Sequence, residues 1–249
     1  MSISLAAMFA APGLALGSFL NVVASRMPLH ISIGRSRSRC MSCEYEIAWF
    51  DNVPLVSYAV LRGRCRSCKA RIPVRYPLVE LVTAVLVVAS VARFGLTPDA
   101  LVAAAFCVVL VAVSVIDLEY RLIPNRIVVP AAAVALAAQT AIHPSLEWLI
   151  GALGASAFLL AAALAYPAGM GMGDVKLALL LGAMLGRTVP VALMVGMLAA
   201  LVPAVALIAR HGTAARRMGI PFGPFLSLGG VVALFWGDAI IDAYLRLLA

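Results

Sequence analysis

Apolar residues run along this chain in long unbroken stretches, with the polar residues collected between them. Eight stretches read as membrane-crossing helices, at about 4–25, 77–94, 99–116, 127–142, 146–166, 175–186, 188–209 and 225–247. A run of about 20 apolar residues spans the ~30 Å hydrocarbon layer as a helix. In lipid each backbone polar group needs a partner within its own segment, and these Ala-, Leu- and Val-rich runs show no strand alternation. The stretch from Val175 to Arg210 is too long for one crossing, ~50 Å at ~1.5 Å per residue. Arg187 and Pro190, with Gly182 and Gly186 just before them, place a break within it. The first run lacks a basic start and continues to Val23, so it reads as a permanent helix rather than a removed signal. The expected fold is all-α: a polytopic membrane helix bundle of about eight transmembrane helices, with one small polar loop domain. The expected division is a first helix (1–25), the loop domain (26–76) and a transmembrane domain (77–249).

Composition agrees. Hydrophobic residues make up 64% of the chain and charged residues 12%, against about 25% charged in soluble domains. The net charge of +8 is unevenly placed, since ten of nineteen Lys and Arg lie between Arg26 and Arg75. A basic cluster beside a membrane span points to topology and to anionic membrane lipids, not to nucleic acid. Eight spans with an exterior N-terminus leave sixteen of the nineteen basic residues in inner loops. Merging the sixth and seventh spans would send Arg210, Arg216 and Arg217 outside. The positive-inside bias therefore favours eight spans, both termini periplasmic or exterior, and a cytoplasmic 26–76 loop.

That loop is too small for a large core, and domains of its size often need a metal or disulfide staple. It holds Cys40-Met-Ser-Cys43 and Cys65-Arg-Ser-Cys68, each continuing as C-x-x-C-x-x-x-I to Ile47 and Ile72. Two such knuckles resemble a four-thiolate zinc ribbon, with two sulfurs from each pair on one Zn²⁺. Arg39, Arg64, Arg66 and Lys69 stand close in sequence to offset its negative charge. Two disulfides or four ordinary thiols are the alternative, against which a cytoplasmic location argues. A closed four-cysteine site leaves no position for water, so the metal is expected to be structural. Cys107, alone in an apolar span, reads as a packed thiol. His30, His143 and His211 show no ligand spacing.

Ionisable groups within spans are costly and point to function. Asp117 ends the third span and Asp174 opens the sixth, in Gly171-Met-Gly173-Asp174-Val-Lys176, which puts both at one membrane depth. A pair of carboxyls at one depth can share a proton, leaving one acid and one base. The ionised member takes a proton from water while the neutral member donates to a scissile carbonyl oxygen. Gly171 and Gly173 permit close backbone approach and unusual dihedrals beside the acid. An Asp at a helix start is also an ordinary cap. Glu80, near the inner end of the second span, either lines the same site or sits among headgroups; Asp238 and Asp242 read as snorkelling or helix-pairing groups.

The combined pattern resembles the type IV prepilin peptidase family, a group of GxGD-type intramembrane aspartyl proteases. The resemblance runs nearly end to end. It rests on Gly17–Val23 followed by Arg26-Met27-Pro28, Asp51–Tyr58, Leu61–Cys65, Arg75–Glu80, the two aspartate motifs in order, and Pro221-Phe222-Gly223-Pro224-Phe225. It implies removal of the basic leader of prepilins or pseudopilins of type IV pili or type II secretion, at the bacterial inner membrane. Asp117 and Asp174 match the family's catalytic pair, with Gly171, Gly173, Lys176 and Glu80 as candidate substrate-binding or site-lining residues and Cys40, Cys43, Cys65 and Cys68 as metal ligands. The resemblance alone implies N-methylation of the new terminus by S-adenosylmethionine, since no glycine-rich nucleotide loop stands out. Met41 and Ser42 depart from the pattern, where a proline is common. Oligomeric state is not legible. A proton-coupled transporter would need inverted repeats and midplane charges, and a non-enzymatic zinc-dependent assembly factor would tolerate loss of either Asp.

Overall fold

The computed structural model describes residues 8–34, 38–166, 170–212 and 219–248. Residues 4–7 of the first expected span lie outside these, as do Arg35, Arg37, Arg216 and Arg217 of the charge count. The helices are α1 (Ala10–Arg26), α2 (Val56–Val60), α3 (Arg75–Phe94), α4 (Pro98–Tyr120), α5 (Asn125–Ile142), α6 (Glu147–Ala165), α7 (Met172–Leu185), α8 (Val189–His211) and α9 (Gly223–Leu248). Short 3₁₀ turns lie at Trp49–Asn52 and Gly186–Thr188. Beyond the short α2, these match the expected spans one for one. Six runs are long and apolar enough to cross a membrane when Met172–His211 counts as one run of 40 residues; α1, with 17 residues, falls just short. The chain is a multi-pass membrane protein.

The long run is two antiparallel helices. Gly186 takes a positive φ of 51° and Pro190 sits in the first turn of α8. A Cβ on Gly237 would lie 2.8 Å from Thr188, and one on Gly196 would lie 3.1 Å from Leu226 Cα. Thus α8 runs from the Gly237 level back towards the start of α9. The start of α7 lies with the start of α9, since the Asp117 charge acts on Asp174 and Asp117 also touches Gly223. The break expected at Arg187 is therefore a reversal of direction, one residue earlier than read.

By packing, the chain forms two compact units, 1–115 and 116–249, with α4 running through the division. The polar loop does not stand apart from the helices. In the first unit, the amide of Asn21 on α1 donates to Tyr76 O at 3.1 Å, and the loop residue Leu55 donates its N–H to Glu80 of α3. Gly13 and Gly17 let α1 lie on α3, since a Cβ there would meet Ala84 Cα at 2.7 Å and Glu80 Cα at 2.5 Å. Small residues four apart allow this approach, which matters in lipid because apolar burial gives helices little reason to associate. Leu20, Val79, Val111 and Ala112 form a core beside it. In the second unit α7 packs on α5 and α6, and α8 on α9.

Candidate active site and metal centre

Asp117 lies in the last turn of α4, 5% exposed, and its Oδ2 accepts the Gly223 N–H at 2.9 Å. Asp174 is the third residue of α7, 8% exposed. Its Oδ2 accepts the Gly171 N–H at 3.3 Å, and its own N–H donates to Gly171 O at 3.1 Å. Asp174 thus does close the helix start, as its position suggested, and the two acids still come within range of each other's charge. Both belong to the second unit.

The glycines divide. Gly171 is extended (φ −83°, ψ 151°), as any residue can be, and neither it nor Gly173 has the positive φ expected of unusual dihedrals. Gly173 does serve close approach, since a Cβ there would lie 2.8 Å from Ile123 Cβ. The same Ile123 lies beside Gly223, where a Cβ would meet its Cδ1 at 3.3 Å and Asp117 Oδ2 at 2.8 Å. Ile123 and Gly223 were not among the site residues read from the sequence. Ile123 joins the Gly173–Asp174 turn to the Gly223–Asp117 contact. Lys176 donates to Asn125 Oδ1 at 2.9 Å, clipping α7 to α5.

Glu80 belongs to the first unit. At 8% exposed it is not a headgroup residue. It accepts the Leu55 N–H at 2.9 Å and lines a cavity between α1, α3 and the polar loop. Asp238 pairs with Arg187 at 2.7 Å, the helix-pairing reading. Cys107 is fully buried.

The two cysteine pairs meet. All four Sγ lie within 4.8 Å of one another, with Cys40–Cys68 at 3.8 Å and Cys43–Cys65 at 4.0 Å. A tetrahedral ion with Zn–S bonds of ~2.3 Å has S–S edges of ~3.8 Å, so the thiols fit one Zn²⁺. The knuckles repeat in backbone as well as in sequence. Cys40 N donates to Tyr45 O and Cys65 N to Ala70 O; Ile47 N donates to Ser38 O and Ile72 N to Gly63 O. Glu44 and Lys69 share a positive φ, 55° and 60°. Backbone N–H donors of Ser42 and Cys43 draw the Cys40 thiol down to about 6. Cys68, although the Ala70 N–H favours its thiolate, is pushed to about 11 by the neighbouring Cys43 and by burial. Two of the four cations expected to offset the site are engaged elsewhere, Arg39 with Glu46 at 3.0 Å and Arg66 with Asp51 at 2.6 Å. The Arg66 guanidinium donates to both Asp51 oxygens and holds that carboxyl below the usual carboxylate range. No other group of three or more His, Cys, Asp or Glu among the described residues is placed to hold a metal.

The bacterial peptidase A24 N-terminal domain matches residues 12–94, and the type IV leader peptidase family matches residues 104–205. A prepilin leader peptidase/N-methyltransferase of Bacillus subtilis is 38% identical over 240 residues, covering 94% of this chain and 96% of that protein. A protein of the same name from Pseudomonas aeruginosa is 36% identical over 265 residues, covering 94% and 91%. Another from Myxococcus xanthus is 41% identical over 180 residues, covering 70% and 54%. No solved structure matches the chain. Nothing in these similarities supports the transporter or assembly-factor readings. The chain belongs to the type IV leader peptidase family.

Proposed function

We propose that this protein is an intramembrane aspartyl endopeptidase of the bacterial inner membrane. It removes the basic leader of type IV prepilins or pseudopilins and then methylates the new N-terminus from S-adenosylmethionine. The observation that supports the peptidase reading is the placing of Asp117 and Asp174, both buried, on either side of Ile123, which packs on Gly173 next to Asp174 and on Gly223 next to Asp117. One acid, ionised, takes a proton from water as the oxygen attacks the scissile carbonyl carbon; the other donates its proton to the carbonyl oxygen. Collapse of the tetrahedral intermediate breaks the C–N bond, and the amine leaves with a proton. Gly171 leaves exposed, extended backbone beside Asp174, which favours an extended substrate there. An apolar groove of ≈ 420 Å³, lined by Met197, Leu201 and Phe222 among others, adjoins Gly223 in sequence. It suits the apolar helix that follows a prepilin leader.

The positive-inside bias sets the knuckle loop and the aspartates at the cytoplasmic face and both termini at the opposite face. There a prepilin presents its scissile bond, between a leader in the cytoplasm and a helix in lipid. Cys40, Cys43, Cys65 and Cys68 hold a structural Zn²⁺, which supplies a cross-link between the knuckles and no open coordination position.

The test is coexpression of a prepilin with wild type, Asp117→Asn or Asp174→Asn, followed by mass measurement of leader removal. Cleavage by wild type alone is expected. Processing by both variants ends the dyad assignment.

A further inference from the structure

The short helix α2 is built inside out for a segment in water. Ser57 is buried, and its hydroxyl donates to Phe50 O at 2.8 Å. Val56 and Val60, one turn apart, are 58% and 70% exposed, and Ala59 is exposed beside them. The neighbouring turn adds exposed Trp49 and Phe50. Single apolar residues on a surface are ordinary, whereas a contiguous apolar face marks a partner. The depth of the helix says which one. Leu55, just before α2, donates its N–H to Glu80, the sixth residue of the membrane-crossing α3. That position lies ~7.5 Å along α3 from its start, where Leu78, Leu81 and Val82 are already exposed, as a lipid-facing span requires. Thus α2 begins level with the apolar surface of a span.

The chain leaving α2 carries cations without acids. Six Lys or Arg and no Asp or Glu lie between Asn52 and Val79. The knuckle repeat sets two of them apart. In the first knuckle Arg39 bridges Glu46, and an ion pair of 3.0 Å closes the bridge. At the same places in the second knuckle Arg64 bridges Arg71. Bridge partners put their side chains on one face, so two like charges stand opposite each other, which is destabilising without an anion between them. Both are exposed, and neither forms an ion pair among the described residues. Arg64 follows Val60 by four residues.

We propose that Arg64 and Arg71 clasp the phosphate of an anionic membrane lipid, whose acyl chains lie along Val56 and Val60 of α2. Two guanidinium forks match the oxygens of one phosphate, and the headgroup replaces a repulsion by two attractions. A zwitterionic lipid also offers phosphate but brings its own cation, so it gains less. Occupied, the site holds the second knuckle against the bilayer.

The test uses the full chain in nanodiscs of phosphatidylcholine, with and without phosphatidylglycerol. Arg71→Glu copies the Arg39–Glu46 pair, so it removes the anion site while giving Arg64 a partner; Arg71→Lys keeps the charge. Zinc content and melting temperature are read for each. Phosphatidylglycerol should raise the melting temperature of wild type, because a ligand of the folded state stabilises it, and native mass spectrometry should show it retained over phosphatidylcholine. Arg71→Glu should melt no lower than wild type in phosphatidylcholine, yet gain little from phosphatidylglycerol and retain it roughly tenfold less, the loss of one charge-assisted contact. Arg71→Lys should keep most of the preference. For the apolar face, Trp49→Phe, Trp148→Phe and Trp236→Phe leave Val60→Trp as the one indole, and lipid brominated in its acyl chains should quench it. Equal phosphatidylglycerol retention by wild type and Arg71→Glu overturns the clasp. Soluble glycerophosphate that binds as tightly as the lipid overturns the lipid as its occupant. Indole emission that bromine leaves unchanged overturns the seating of α2.

Discussion

Replacing Gly223 by alanine isolates the positioning of Asp117. The backbone N–H remains, so the 2.9 Å donation to Asp117 Oδ2 can persist. The new methyl, however, would stand 2.8 Å from that oxygen and 3.3 Å from Ile123 Cδ1. Ordinary contact begins at 3.4 Å, so the carboxyl must withdraw by 0.6 Å if the backbone holds. Reacting groups tolerate about 0.5 Å of error, and displacement by ~1 Å can cost ~10²-fold in rate. A fall in cleavage kcat of roughly 10- to 100-fold follows, with a smaller change in KM. The group that must move is the free end of a side chain, so the melting temperature should change little. Gly154→Ala is the control, because nothing lies within 4 Å of a Cβ there. The assay is leader cleavage of a purified prepilin in nanodiscs, with thermal melting measured on the same samples. Wild-type kcat in Gly223→Ala, or an equal loss in Gly154→Ala, refutes the claim that Gly223 fixes the acid.

Three further outcomes follow from other parts of the structure. Cys40→Ser combined with Cys65→Ser takes one ligand from each knuckle, so metal analysis should fall from about one zinc per chain to none. Asp51→Asn removes the charge that Arg66 holds. The folded Asp51 carboxyl titrates below its unfolded value, so the pair stabilises the loop above the unfolded value and loses that contribution as pH falls through the folded one. The melting difference between wild type and Asp51→Asn should therefore be full at neutral pH and close in acid; a difference independent of pH would contradict it. Gly17→Leu places its Cβ 2.5 Å from Glu80 Cα. Backbone cannot yield as a side chain can, so α1 must lift from α3, at a cost of about 1–3 kcal/mol or more read by thermal unfolding.

The helices were legible because lipid leaves the chain few alternatives, and their ends were less so. The sixth span read as starting at Val175, whereas α7 begins at Met172. Polar Asp174 and Lys176 look like loop by hydropathy, yet both lie within the first two turns and make helix-end contacts with Gly171 and Asn125. The cysteine knuckles were legible from spacing alone, and their repeat extends to the backbone bonds around each pair. Gly223 was legible as part of the Pro221–Phe225 motif but not as a partner of Asp117, because what it touches lies 106 residues earlier in the chain. Glu80 was visible as a charge in a span, but its partner Leu55 was not. That residue's positive φ of 57° is uncommon outside glycine, and no nearby sequence pattern announces it.

The donors found on Asp117 and Asp174 bear on how the asparagine variants should behave. Each acid is held by a backbone N–H, from Gly223 and Gly171, and an N–H needs an acceptor oxygen, not a charge. The carbonyl oxygen of asparagine can accept the same bond in the same place. Asp117→Asn and Asp174→Asn should therefore keep their melting temperature and zinc content while losing the exchange of protons with water and with the carbonyl oxygen. General acid–base assistance is worth about 10²–10⁴ in rate, so cleavage should fall by at least that range in either variant. If both acids act as a unit, the double variant should be no worse than either single one, because one missing proton site already breaks the relay. Losses that multiply in the double variant would mean that the two carboxyls contribute independently, and the shared-proton mechanism would have to be abandoned.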